Sequence, residues 1–218
     1  MGIEYLNPRS AADVDRVATL YEENLADSPV VLLGPRFLRE FFFKRLVESD
    51  LLGCLVCRVD GTVVAFLSWT NHPGDFIGRG IKKHFIGLSW IMLKGIVEKP
   101  STITQILSAI RIVGKRSGDA GKEHDPKAIE AISLVVPPEF QTHIPEGGKA
   151  RTTVRLVQDL AAHARAQGTE RVLYVVQPRN KASSIFFAVM GCELNKRTYA
   201  GEDVYVYTHH LVERPDDA

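Results

Sequence analysis

Apolar positions along this chain recur with two periods, and the switches between them mark out its elements. In "LLGCLVCRVDGTVVAFLSWT", residues 51–70, two apolar runs flank Asp60-Gly61, the preferred dipeptide for a tight turn, and predict a β-hairpin. Near the start, "GIEYLN" predicts a short strand, and Ser10 followed by Asp13 predicts a capped helix running to about Leu25. A second helix is expected after Gly34-Pro35, over "RFLREFFFKRLVES", with an apolar face and a basic margin. From 76 to 118 the pattern becomes one of helical pieces broken at Gly80, Gly95 and Pro100, and "SGDAGKEHDPK" follows as a polar connector.

The second half alternates more regularly. "AIEAISLVV" is a continuous apolar run and reads as a buried strand. In "ARTTVRLVQDLAAHARAQG", Val154, Val157, Leu160, Ala161 and Ala164 share one helical face, and Gly168 ends the helix. "RVLYVVQ" is another short strand, so strand, helix and strand form a βαβ crossover whose two strands run parallel. The helix "KASSIFFAVM", stopped by Gly191, and a hairpin in "CELNKRTYAGEDVYVYTHH", turning near Gly201, complete the pattern.

Charge and cysteine usage narrow the chemistry. A net charge of +1 over 218 residues gives no bulk attraction to nucleic acid, which is not expected as a partner. One local patch is basic: 76–118 carries Arg79, Lys82, Lys83, Lys94, Lys99, Arg111, Lys115 and Arg116 against Glu98 alone. The first residues lack a basic-then-apolar leader and no apolar run reaches the roughly 18 residues of a membrane span, so a cytoplasmic protein is expected. Cys54, Cys57 and Cys192 fit a reducing compartment. Cys54 and Cys57 form a C-x-x-C, but an offset of three in a strand sends the two side chains to opposite faces, and no metal is expected.

The stretch "SLVVPPEFQTHIPEGGKARTTVRL" carries the candidate site. In a βαβ unit the helix N-terminus, with its free N–H groups and partial positive charge, faces the carboxyl end of the first strand. Gly147 and Gly148 let a phosphate approach the backbone, and Lys149, Arg151 and Thr152 add charge and a hydroxyl donor. A plain turn between two buried elements would show the same glycine pair.

Two motifs tilt that choice toward an anion cradle by resemblance. "SLVVPPEF" resembles the end of the fourth strand of the GNAT acetyltransferase superfamily, with Gln141 where the family places an Arg or Gln and Gly148-Lys149-Ala150 where it places Gly-x-Gly/Ala. "QPRNKASSIFFAVMGC" is similar to the family's Asn-x-x-Ala-x-x-Leu-Tyr-x-x-x-Gly-Phe, with Asn180, Ser183, Phe186, Phe187 and Gly191 at the matching offsets. The resemblance implies an α+β fold: a split, mostly antiparallel mixed sheet with a central βαβ unit, flanked by helices, in one domain over 1–218 with a helical insertion at about 76–118. It also implies acetyl-CoA, or another acyl-CoA, lodged in the split. Gln141 and the turn from Gly147 through Gly148, Lys149, Ala150 and Arg151 to Thr152 would hold the pyrophosphate. Leu134, Val135 and Val136 would pair with the pantetheine arm, the Val135 N–H would hold the developing oxyanion, and Asn180, Ser183 and Phe187 would line the cofactor. Glu130 stands on the strand where the family commonly has a carboxylate and is the candidate base for the acceptor amine, or else an ion-paired strand-edge glutamate.

The chain departs from the family pattern in three places. Six residues separate Gln141 from Gly148, about four more than usual. Phe187 stands where the family commonly has the tyrosine that protonates the leaving thiolate, so that proton must come from water or from Tyr199 or Tyr205. Cys192 replaces a phenylalanine, which reads as a core change.

The 76–118 segment, together with Leu-Gly-x-x-Phe-Leu at 33–38, resembles a GNAT subgroup linked to surface-polysaccharide or secondary metabolism and points to an amino-sugar or carrier-bound amine. Thr70, Asn71 and His72 at a strand end are placed to touch such an acceptor or to make the turn; His143 is a lone loop histidine. The segment 77–116 reads as a helical lid with a solvated basic face, or as a docking surface for a membrane or carrier protein through Phe85, Trp90, Ile91 and Leu93. The expected function is a CoA-dependent N-acyltransferase, monomeric or homodimeric. The alternatives are a non-catalytic acyl-CoA-binding regulatory module and a docking protein acting through its insertion.

Overall fold

The computed structural model describes residues 2–98, 126–142, 144, 150–199 and 202–212. Its elements run β1 (Gly2–Tyr5), α1 (Ala11–Asn24), α2 (Phe37–Arg45), β2 (Gly53–Val59), β3 (Thr62–Thr70), α3 (Phe76–Lys83), α4 (Phe85–Glu98) and β4 (Ala128–Val135). After a single turn at Pro138–Gln141 come α5 (Thr152–Ala166), β5 (Arg171–Val176), α6 (Lys181–Val189), β6 (Glu193–Tyr199) and β7 (Glu202–His210). The seven strands make one mixed sheet in the order β1-β2-β3-β4-β5-β7-β6, in which β4 and β5 pair parallel and the other pairs are antiparallel.

Local chemistry accounts for the early elements. Ser10 accepts the Asp13 N–H and caps α1. Asp60 and Gly61 both take positive φ, 50° and 79°, which is the geometry of the tight hairpin that the dipeptide favours. The second helix departs from expectation, because Phe37–Arg45 is wound as a π-helix before closing as one α-turn at Leu46–Glu48. The wider winding lets Phe41, Phe42 and Phe43, three consecutive residues, all be fully buried. Each such ring stabilises the fold by about 1.5–3 kcal/mol.

The sheet has a core on each face. On one, α1 and α2 pack over Cys54, Val56, Phe66 and Val135; on the other, α5 packs over Leu55, Cys57, Leu67, Trp69 and Ala131. Cys54 and Cys57 therefore lie on opposite faces of β2, as their spacing requires.

The helical insertion corrects one expectation. Gly80 and Gly95 do not break helices: α3 runs through the first, α4 through the second, and the break falls at His84. Gly80 is there for contact, since a Cβ on it would come within 2.3 Å of Leu46 Cδ2 and 3.4 Å of Phe41. Ile91, on α4, is buried in the same core. Pro100 and the remainder of the segment to 118 lie outside the described residues. No helix among the described residues is long and apolar enough to cross a membrane.

Candidate functional site

The feature that organises the site is a divergence of two strands. β4 and β5 pair over four rungs, from Ala128 opposite Arg171 to Ala131 opposite Tyr174. Beyond that, β4 stays with β3 until Val135 faces Phe66, while β5 stays with β7 until Val176 faces Tyr205. A bulge contributes: Ser68 faces Ser133 and Trp69 faces Ala131, so Ile132 is an extra residue that bends β4. Successive residues of a strand send their N–H and C=O groups to alternate sides, so alternate residues of Ser133–Val136 turn these groups away from β3 and toward the gap. An extended molecule lying in the gap would be received there like an added strand.

The N-terminus of α5 follows at the carboxyl end of β4. Its N-cap, Arg151, has extended geometry (φ −61°, ψ 154°), makes no side-chain cap bond, and the first turn holds no acidic residue. This end therefore keeps its partial positive charge. Arg151 is exposed and Ala150 half-buried at its mouth. Gly147, Gly148, Lys149 and His143 lie outside the described residues. Thr152 is fully buried, so its hydroxyl is not presented to a phosphate. Gln141 is committed as well, its Nε2 donating to the Val136 carbonyl at 3.1 Å and so fixing the turn that leaves β4.

On the β5 side, Asn180 acts first as a helix cap. Its Oδ1 accepts the Ser183 N–H at 3.1 Å, which unites two of the expected cofactor contacts as a capping pair at the start of α6. Phe187 is 4% exposed and stacks on Tyr174 with ring centroids 4.2 Å apart and planes at 24°. Burial pushes the Tyr174 phenol well above its ordinary range, and its Oη has no hydrogen-bond partner among the described residues. Of the two tyrosines expected near the thiolate, Tyr205 lies opposite Val176 at the end of β5. Tyr199 ends the edge strand β6, two strands and so about 10 Å from β5.

The opposite face of the sheet carries Glu130. Ile129 and Ala131 belong to the core under α5, so Glu130 between them points to the face of α1, α2, α3 and α4. It is half-buried, faces Thr70 across the ladder, and its Oε2 accepts the Gly74 N–H at 3.3 Å. On the same face Ser68 and Ser133, both buried, share a hydrogen bond of 3.0 Å. This pair was legible in the sequence only as a hydroxyl inside an apolar run.

Two of the three residues expected to touch an acceptor are used structurally. Thr70 is 1% exposed, donates to the Leu51 carbonyl at 2.8 Å and accepts the His72 N–H at 3.1 Å. Asn71 donates to Gln167 Oε1 at 3.3 Å, at the end of α5 on the other side of the sheet. His72 is half-buried beside them. Among the described residues no group of three or more His, Cys, Asp or Glu is placed to hold a metal ion.

No family model matches the chain, and no curated protein matches it. Solved structures do. An N-acetyltransferase from Staphylococcus aureus Mu50 superposes with a TM-score of 0.58 at 14% identity, covering 97% of this chain and 98% of that one. An acetyltransferase of the GNAT family from Streptococcus pneumoniae gives 0.53 at 16% identity, covering 97% and 99%. An aminoglycoside 6'-N-acetyltransferase complexed with coenzyme A gives 0.57 at 10% identity, covering 99% and 100%. At these identities the likeness is one of fold: the chain has the fold of GNAT-family acetyltransferases.

Proposed function

We propose that the protein is a CoA-dependent N-acyltransferase, carrying the acyl group of acetyl-CoA directly to a primary amine within a ternary complex. One observation carries this: β4 and β5 part after Ala131 and Tyr174, with an uncapped helix N-terminus at one end of the gap and a carboxylate, Glu130, on the face opposite α5. The proposal takes 1–218 as one acyltransferase unit with an insertion at about 76–118.

The gap suits acetyl-CoA by its chemistry. The N-terminus of α5 with Arg151 offers charge for a pyrophosphate, Gly147, Gly148 and Lys149 would complete that cradle, and Leu134, Val135 and Val136 offer strand edge for the pantetheine amides. When bound, the group supplies an activated acyl thioester. The chain's part is to orient that thioester by β4 backbone groups, Val135 among them, and to take the proton of the attacking amine on Glu130. α3 and α4 share the face of Glu130, which puts them on the acceptor side.

The acceptor we favour is a small amine, an amino sugar or a carrier-bound amine, reached past His72. Contact of 77–116 with a carrier or membrane surface draws its support from exposed Phe85 and Ile86 beside exposed Lys82 and Lys83; Ile91, one of the residues expected in that role, is buried. A second reading, an acyl-CoA-binding regulatory module without turnover, is favoured by Phe187 in place of a phenol. Titration calorimetry with acetyl-CoA and CoA tests both readings, and millimolar ligand without heat of binding would overturn them. Thiol release with any member of a broad amine panel separates the enzyme from the module.

A further inference from the structure

Tyr174 poses a problem that packing does not solve. Its hydroxyl is buried and unpartnered among the described residues, although a phenylalanine would fill the same volume without stranding a donor. The residue also sits at the vertex of the gap, on the last rung where β5 still faces β4. Its ring lies against Phe187, the position at which the resemblance expects a hydroxyl and this chain has none. Tyr174 thus carries a phenol that is unpartnered among the described residues, stacked on Phe187 in the core under α5, with its backbone at the point where the two strands part.

On the premise that the gap holds an acyl-CoA as above, we propose that Tyr174 Oη donates a hydrogen bond to the sulfur of the bound coenzyme, in place of the hydroxyl missing at Phe187. The phenol keeps its proton. As the amine nitrogen bonds to the acyl carbon its proton goes to Glu130, the C–S bond breaks with its electron pair on sulfur, Tyr174 steadies that charge, and solvent protonates the thiolate. Burial acts in the same sense, since it holds the phenol in its protonated, donating form.

The test is calorimetry on the intact protein with CoA and with desulfo-CoA, which differ at the sulfur. Wild type is expected to bind CoA roughly tenfold or more tightly than desulfo-CoA, as a hydrogen bond to an ionisable sulfur would give. Tyr174→Phe should bring the two affinities within about twofold while leaving desulfo-CoA binding unchanged, which also reports that the variant is folded. Adding Phe187→Tyr to that variant should restore the preference, and Tyr205→Phe should leave it intact. A Tyr174→Phe protein that still prefers CoA overturns the inference and leaves the acyl-CoA reading standing. Failure of wild type to bind either ligand removes both.

Discussion

The carboxylate of Glu130 accepts the N–H of Gly74 at 3.3 Å, which ties the start of β4 to the loop leading into α3. Glutamine at 130 retains a carbonyl for that bond but cannot take a proton. Glu130→Gln is therefore expected to bind acetyl-CoA within about twofold of wild type and to lose roughly 10²–10⁴-fold in kcat. Calorimetry and thiol release on the same preparation check it. A variant with unimpaired turnover would remove Glu130 as the base.

Gly53 and Trp69 face each other across the β2–β3 ladder with no room between them. A Cβ at 53 would fall 2.2 Å from the indole, so Gly53→Ala must displace a buried ring. The expected cost is about 1–3 kcal/mol, a fall of roughly 2–10 °C in Tm. Thermal unfolding followed by circular dichroism measures it, and an unchanged Tm would show that Trp69 relocates freely.

Arg58 donates to both Asp13 and Glu4, joining α1 and β1 to β2. The Arg58 hydrogen bond holds the Asp13 carboxyl below its ordinary value of 3.8. With the folded value depressed, the unfolded chain binds more protons on acidification, so this contribution is full above about pH 4 and is lost as pH falls through the folded value. Asp13→Asn should accordingly be less stable than wild type at pH 7, with the difference shrinking below about pH 4. Unfolding midpoints of both proteins across that range test the sign.

All three cysteines are buried, and burial raises their thiols, Cys57 and Cys192 to about 11. Few thiolates exist near neutrality, and none is exposed to a reagent. Native protein should give under one equivalent of fast reaction with a disulfide reagent at pH 8, and three after unfolding. A fast native equivalent would mean that one face of β2, or the end of α6, opens readily.

Most of the architecture could be read from the chain because its signals are local. Asp60-Gly61 dictates its turn, Ser10 its cap, and the apolar runs at 128–136 and 171–176 their parallel pairing through the helix between them. The π-winding of Phe37–Arg45 was not legible, since it arises from burying three adjacent rings against two layers at once. The role of Gly80 is hidden from the sequence for a related reason: its lack of a side chain serves a contact with Leu46, a residue far away along the chain. The site was legible as a region and less so as atoms. Asn180 and Ser183 were found together, but as a cap, while Thr152, Thr70 and Gln141 are occupied by bonds or burial that only tertiary structure assigns. Nothing local distinguishes Tyr174, whose hydroxyl has no partner among the described residues, from an ordinary core tyrosine.

Four rungs, Ala128–Ala131 against Arg171–Tyr174, together with the Lys127 carbonyl, which accepts the Glu170 and Arg171 N–H groups, form the backbone seam between the β1–β4 portion of the sheet and the β5–β7 portion among the described residues. The strands on the first side succeed one another along the chain and pair antiparallel with their neighbours, so that portion can assemble before β5 has left the ribosome. Until the seam closes, Leu156, Val157 and Leu160 have only half of their eventual core, the remainder arriving with Val172, Tyr174 and Tyr207. The order of synthesis thus places the closing of this seam after the β1–β4 portion is complete, and a chain stalled ahead of it would present an open sheet edge and a half-covered helix to its surroundings.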